Sequence, residues 1–364
     1  MNVADQSSND NSSQPKHSRR PRYSGTHPKS YQQKYKEHNI TAHSELRDHL
    51  RAKGKTPAGT HIPVMTEEIL ACLKPAPGEI VIDCTLGYGG HALEFIKRIG
   101  PNGKLIALDI DNAELERTKN RLAKADAQVS FHRSNFAGIA KVLSKENLQA
   151  CDIIFADLGV SSMQIDDPNR GISYKHKGPL DMRMDDRLKQ TGVDLLNTLS
   201  EEELDNALWE LSDEPDHQEI ARSIVAQRAS GEITQTSQLV RLIFDVKGLT
   251  PKMWTKIQQS SKFGSLHPAA RTFQALRILV NDELGSLKQL LRVAPNCLKP
   301  GGRIGIISFH SGEDRLVKRS FREGVRDETY FSAAKNPLVP RIKEVKANPR
   351  SASAKFRWAK IKTL

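Results

Sequence analysis

Beyond a polar opening of about 57 residues, apolar positions gather into short runs separated by segments with helical spacing. Ile80-Val81-Ile82, Leu105-Ile106-Ala107-Leu108, Val129-Ser130-Phe131 and Ile153-Ile154-Phe155-Ala156 read as four strands. Strands alternating with helices predict a parallel α/β sheet. The first, second and fourth runs each end on a carboxylate: Asp83, Asp109 and Asp157. Ligands of open α/β sheets lie beyond the carboxyl ends of the strands, so these three acids should crowd one edge.

The alternation stops after the fourth run. Asp166-Asp167-Pro168-Asn169-Arg170-Gly171 through Gly178-Pro179-Leu180-Asp181-Met182-Arg183-Met184 reads as a long polar loop, and loops of that length are usually functional or disordered. Leu204, Ala207, Leu208 and Leu211 then step as helices do, predicting a helical insertion. Sheet character returns after Pro268. Phe273, Leu276, Val280, Leu284, Leu287 and Leu291 predict one helix, Leu298-Lys299-Pro300-Gly301-Gly302 a turn, Ile304-Gly305-Ile306-Ile307-Ser308 a strand, and Lys355 to Ile361 a final strand. The expected fold class is α/β, a Rossmann-like sheet with an inserted all-helical subdomain. Its bounds are a disordered extension over 1–57, a first sheet part over 58–165, loop and insertion over 166–266, and a second sheet part over 267–364.

Charge adds a partner. Net charge is +12, and residues 1 to 60 hold 11 Lys/Arg against 5 Asp/Glu while residues 313 to 364 hold 14 against 6. Basic ends on a nearly neutral body suggest arms that grip phosphates, with solubilising tails as the plainer alternative. Cys72, Cys84, Cys151 and Cys297 show no CxxC pair and no metal-ligand spacing. A reducing compartment is therefore expected and no metal is. No apolar run approaches the roughly 18 to 20 residues of a membrane span. The expected location is cytoplasmic, with no membrane partner.

Candidate chemistry centres on Asp83-Cys84-Thr85-Leu86-Gly87-Tyr88-Gly89-Gly90-His91, which follows the first strand and opens a helix. Gly87, Gly89 and Ala92 fit the loose dinucleotide pattern, and Asp109 lies where a ribose-binding acid belongs. The glycines alone suit a nicotinamide enzyme equally well. Asp83 shifts the balance to S-adenosyl-L-methionine, because a carboxylate there can attract an ammonium or sulfonium, while Asp109 accepts both ribose hydroxyls. His91 is either a satisfied helix-start residue or a cofactor neighbour.

At Asp157-Leu158-Gly159-Val160-Ser161-Ser162-Met163-Gln164-Ile165-Asp166-Asp167 the chain resembles the bacterial 16S ribosomal RNA cytosine-N4 methyltransferase family. His61-Ile62-Pro63-Val64-Met65, Arg170-Gly171-Ile172-Ser173, the Gly178 to Met184 segment, His267 to Ala275 and Ser308-Phe309-His310-Ser311 carry the same resemblance, in order, to about Lys360. The resemblance implies a class I methyltransferase fold, a substrate-recognising insertion, and methylation of a cytidine in the decoding region of 16S ribosomal RNA. It also implies cofactor contacts from Gly89, Gly90, His91, Asp109, Phe136, Asp157 and Gln164. Departures are an N-terminal extension longer than usual, Gly312 in place of leucine, a missing Tyr-Gly before Glu214, and a shortened segment near residues 325 to 345.

An exocyclic amine delocalised into its ring is a poor nucleophile, so its methylation needs alignment and acceptors for the N–H bonds. Asp157 and the Leu158 carbonyl are the natural acceptors, which makes Asp157 the catalytic candidate. Methylation at ring carbon would require a cysteine nucleophile, and the four cysteines are badly placed for it. His310 either relays the leaving proton or pairs with backbone. Arg170, Lys175, Lys177, Arg183 and Arg187 are candidate phosphate contacts, with a solvated loop as the equal alternative. The expected partner is 16S ribosomal RNA or the small ribosomal subunit, with monomer and homodimer both open. A non-catalytic ribosome-assembly factor is the alternative function.

Overall fold

A computed structural model describes residues 63–123, 125–260 and 266–363. The extension over 1–57, with its expected disorder, lies outside them. Seven strands form one sheet: β1 (Ile80–Asp83), β2 (Lys104–Asp109), β3 (Gln128–Arg133), β4 (Cys151–Asp157), β5 (Leu298–Ser308), β6 (Ser332–Ala333) and β7 (Lys355–Lys360), in the order β3-β2-β1-β4-β5-β7-β6. The strands from β3 to β5 run parallel, while β7 is antiparallel to both β5 and β6. That order, with its reversed seventh strand, is the class I methyltransferase sheet the resemblance implies. The four short runs that opened the sequence are all strands of it.

Period-two alternation along buried strands sends neighbours to opposite faces. Val81, Leu105, Ala107, Ile153 and Phe155 face one side, under α1 (Thr66–Leu73), α2 (Gly90–Ile99) and α3 (Asn112–Leu122). Ile82, Ile106, Leu108, Ile154 and Ala156 face the other, under α4 (Ile139–Lys145) and the leucines of a helix described below. After the short α5 (Ser162–Asp166), the loop and α6 (Gly192–Thr198), α7 (Glu201–Ser212), α8 (His217–Ser230), α9 (Thr236–Val246) and α10 (Pro251–Ser260) interrupt the sheet. Leu180, Met182, Leu204, Leu208, Ile220 and Leu239 build a separate core there.

The helix predicted from Phe273 to Leu291 is two helices, α11 (Ala270–Asn281) and α12 (Glu283–Cys297), because Asp282 between them turns left-handed (φ 46). Phe273, Leu276 and Val280 of α11 join the insertion core, whereas Leu287, Leu290 and Leu291 of α12 cover the sheet. The turn predicted at Leu298 to Gly302 is the start of β5, bent where the register on β4 shifts between Cys151 and Ile153. The chain after α13 (Ser311–Arg326) is not an arm. α14 (Ile342–Ala347) and β7 pack on the sheet domain, and Arg341, Arg350 and Arg357 spend their charges on Glu67 and Glu68, Asp166, and Asp314. Among the described residues no helix is long and apolar enough to cross a membrane.

Candidate active site

Parallel register brings the strand-end acids together: Asp83 pairs with Ala107 on β2, two residues short of Asp109, and with Phe155 on β4, two residues short of Asp157. Asp83 is buried. Its Oδ1 accepts from the Thr85 amide at 3.1 Å, while Oδ2 has no hydrogen-bond partner among the described residues. Burial, offset in part by His91, pushes the carboxyl up to about 6. Asp109 Oδ2 accepts from the Gly87 amide at 2.8 Å and Oδ1 from the Asp111 amide at 2.9 Å. Burial nonetheless raises it to about 7, although the residue keeps some solvent contact.

The loop between β1 and α2 is shaped by its glycines. Gly87 (φ 45) and Gly89 (φ 80) sit in the left-handed region, which costs other residues energy. A Cβ on Gly89 would stand 2.7 Å from Thr118 Cγ2, and the Thr118 hydroxyl donates to the Gly87 carbonyl at 2.5 Å. Gly90 packs less tightly, a Cβ there reaching Pro63 at 3.1 Å. Among the described residues no side chain caps α2, so its first amides are left without a side-chain acceptor. His91 is buried against Phe155, with ring centroids 4.8 Å apart, and its Nε2 lies 3.6 Å from Asp157 Oδ2. Asp157 Oδ1 is buried and has no hydrogen-bond partner among the described residues, and the Asp157 amide donates to Thr85 Oγ1 at 2.7 Å.

Thr85 thus ties the glycine loop to the end of β4, a role sequence reasoning missed. Asp111 was missed as well. It caps α3 and also receives the Gln164 amide at 3.1 Å and Arg170 at 2.6 Å. An Asp just before a helix signals a cap; the two further partners come from the distant loop. Gln164 Oε1 accepts from the Ser161 amide at 2.9 Å, so this side chain braces the turn after β4 against Asp111. Phe136 opens a 3-10 turn capped by Asn135, and Ser134 donates to the Asp109 carbonyl at 3.0 Å, which keeps this half-buried aromatic on the same edge. All the predicted cofactor residues therefore belong to this edge.

The loop arginines divide differently. Arg170 is held by Asp111, Arg183 by Asp181 and Arg187 by Asp185. Lys175 and Lys177 are exposed. The cysteines are free thiols, and burial together with Asp83 drives the Cys84 thiol well above its ordinary value. That leaves it a poor nucleophile.

Buried polar atoms without partners are rare in proteins. Here Asp83 Oδ2, Asp157 Oδ1 and His91 Nε2 are three such atoms on one edge. Two acids with no nearby cationic side chain but His91 among the described residues suit an ammonium or sulfonium, and Asp109, fixed by two backbone amides, suits a ribose diol. The donor set fits S-adenosylmethionine.

A family model described as the MraW methylase family matches residues 58–362. Ribosomal RNA small subunit methyltransferase H 2 of Alkaliphilus metalliredigens is 41% identical over 348 residues, covering 94% of this chain and 97% of that protein. Ribosomal RNA small subunit methyltransferase H 1 of Lachnoclostridium phytofermentans is 42% identical over 350 residues, 95% of this chain and 93% of that one. Ribosomal RNA small subunit methyltransferase H of Halothermothrix orenii is 42% identical over 314 residues, 82% of this chain and 97% of that one. The first two alignments are longer than residues 58–364 can supply, so some relatives share part of the N-terminal extension. The Halothermothrix orenii protein, 97% of which is covered by 82% of this chain, does not share it.

Proposed function

The chain belongs to the MraW methylase family, and from that premise we propose that it methylates N4 of a cytidine in the decoding region of 16S ribosomal RNA. It is an S-adenosylmethionine-dependent ribosomal RNA methyltransferase. The observation that carries the site assignment is the trio of unpartnered buried atoms on Asp83, His91 and Asp157. When bound, the cofactor supplies an electrophilic methyl group on a sulfonium centre. In this reading Gly89, Gly90, His91, Asp109, Phe136 and Gln164 hold it.

Asp157 and the Leu158 carbonyl accept the N–H bonds of the amine and turn its lone pair toward the methyl group. The Leu158 amide is pinned to the Ile307 carbonyl at 3.0 Å, and Gly159 (φ 96) then turns the chain away. That leaves the carbonyl fixed rather than mobile. A base read by an enzyme is presented single-stranded or flipped, and in this reading the insertion over 166–266 presents it. In this reading the small ribosomal subunit is the substrate and the cytoplasm is the location.

The reading is tested by incubating the full chain with unmethylated small subunits and methyl-labelled cofactor. Label should appear on N4 of a single cytidine, located by mass spectrometry of RNA fragments. Label on a ring carbon would refute the amine target. Cofactor binding with no transfer would leave a non-catalytic assembly factor.

A further inference from the structure

A second polar cluster lies beside the three acids. Ile307 pairs with Asp157, so Phe309 and His310 leave the sheet next to the catalytic strand end, and α13 begins at Ser311. Phe309 lies against the turn after β4, where a Cβ on Gly159 would stand 3.6 Å from its ring. His310 is largely buried, with 12% of its side chain exposed; it stands at the N-cap of α13 with its ring facing the Glu313 amide, yet neither ring nitrogen has an aligned hydrogen-bond partner among the described residues.

The surroundings of His310 are charged. Its Nε2 lies 3.3 Å from Glu313 Oε1, and Glu313 Oε2 accepts from the Phe309 amide at 2.8 Å and the His310 amide at 3.3 Å. Burial pushes the Glu313 carboxyl up, but His310, the Phe309 amide and Arg277 together outweigh burial and hold it below its usual value. Glu283, opening α12, completes the group, with ligand atoms of Glu283, His310 and Glu313 within 4.8 Å of one another. Arg277 already grips Glu283 through bonds of 2.7 and 2.8 Å, so a cation is in place there. Two carboxylates and one guanidinium leave one negative charge uncompensated around the imidazole. Of the other charged groups at this helix start, Asp213 and Arg315 face each other at 3.5 Å, and Asp314 is paired with Arg357 at 2.7 Å and with Lys355 at 3.4 Å.

We infer that His310 is the proton acceptor of the methyl transfer, an inference that rests on the amine-methylation reading. As the amine nitrogen bonds to the methyl carbon, the carbon–sulfur bond breaks with its electron pair left on sulfur, and the nitrogen must shed one proton. His310 takes that proton, which neutralises the cluster, and later passes it to water. Glu313 facing Nε2 favours the tautomer protonated there, leaving Nδ1 as the acceptor. Gly312 keeps that nitrogen uncrowded, because a Cβ at 312 would stand 3.1 Å from Nδ1. Asp157 orients the amine, and His310 carries away its charge.

The test compares His310→Gln, His310→Ala and Glu313→Gln with the wild type by single-turnover transfer to small subunits, cofactor calorimetry and imidazole NMR of the cofactor-free protein. Both His310 variants should lose on the order of 10²-fold in rate with unchanged cofactor affinity, and added imidazole should restore part of the rate of His310→Ala. Wild-type rate should rise with pH along the ionisation that NMR assigns to His310. Glu313→Gln should move both to lower pH, since removing the anion disfavours the imidazolium. Wild-type rates in both His310 variants, or a pH limb indifferent to Glu313→Gln, would overturn the inference alone. So would wild-type turnover that a chelator stops and zinc restores, because the cluster would then be a metal site. No transfer by the wild type would overturn the amine-methylation reading with it.

Discussion

His91 Nε2 and Asp157 Oδ2 lie 3.6 Å apart, one side chain at the start of α2 and the other at the end of β4. The contact lies beside the hydrogen bond of the Asp157 amide to Thr85 Oγ1 at 2.7 Å, so the glycine loop and the strand that ends in Asp157-Leu158-Gly159 meet at one place. Asp157 can then serve cofactor and amine without a change of position.

Asp157→Ala should therefore damage chemistry more than binding. Loss of a preorganised acceptor costs on the order of 10² to 10³ in rate. Cofactor affinity should fall only about tenfold, a single interaction's worth. Single-turnover transfer and calorimetry on the same preparation separate the two. Turnover equal to wild type would sink the catalytic role.

Asp83 makes the pH dependence of stability and of binding run in opposite directions. Its carboxyl stands at about 6 in the fold against an ordinary 3.8, chiefly through burial. Below 3.8 both folded and unfolded chains carry the proton. As pH rises through about 6 the buried group must ionise, and the free protein loses up to roughly 3 kcal/mol at about 1.4 kcal/mol per pKa unit. A cationic ligand prefers the ionised acid, so cofactor affinity should rise over the same interval. Asp83→Asn should melt higher than wild type at pH 7 without cofactor, yet bind cofactor more weakly and without the pH step. A variant that melts lower at pH 7 contradicts this account.

Asp109→Ala tests the ribose assignment. Two charge-assisted hydrogen bonds, each worth about 1.5–3 kcal/mol, would go. Affinity should drop by at least about a hundredfold in calorimetry. The substitution also frees the Gly87 and Asp111 amides that Asp109 binds at 2.8 and 2.9 Å. Asp109→Glu should be nearly as weak, because a longer side chain cannot keep both amides. Unchanged affinity in the alanine variant would refute the role.

The acids were legible because a carboxylate at three equivalent strand ends is a pattern in the chain itself: Asp83, Asp109 and Asp157 follow apolar runs whose period fixes the sheet. What depends on long-range closure was not. Gln164 and Arg170 reach Asp111 from a loop more than fifty residues away, and nothing in their local sequence names that partner. The break at Asp282 was hidden because helical spacing of leucines continues across it, each half burying its stripe against a different core. The short β6 has too few residues to leave a period.

Glu214 is the clearest probe of the insertion as a unit. It is fully buried beyond the end of α7, where it receives Lys247 at 2.6 Å from the end of α9 and the Thr272 hydroxyl at 3.2 Å from α11. Three helices thus meet on one carboxylate. Breaking a buried pair outright costs about 3–5 kcal/mol, but Asp216 also binds Lys247 at 2.5 Å, so Glu214→Ala should cost less, roughly 2–3 kcal/mol. The loss should fall on the insertion core of Leu204, Leu208 and Leu239, separate from the sheet that holds Asp83, Asp109 and Asp157. Denaturant unfolding should show a lowered midpoint, binding to the small subunit should weaken, and cofactor affinity should hold. A matching fall in cofactor affinity would show that the insertion and the acid edge are one cooperative unit, which the separate core argues against.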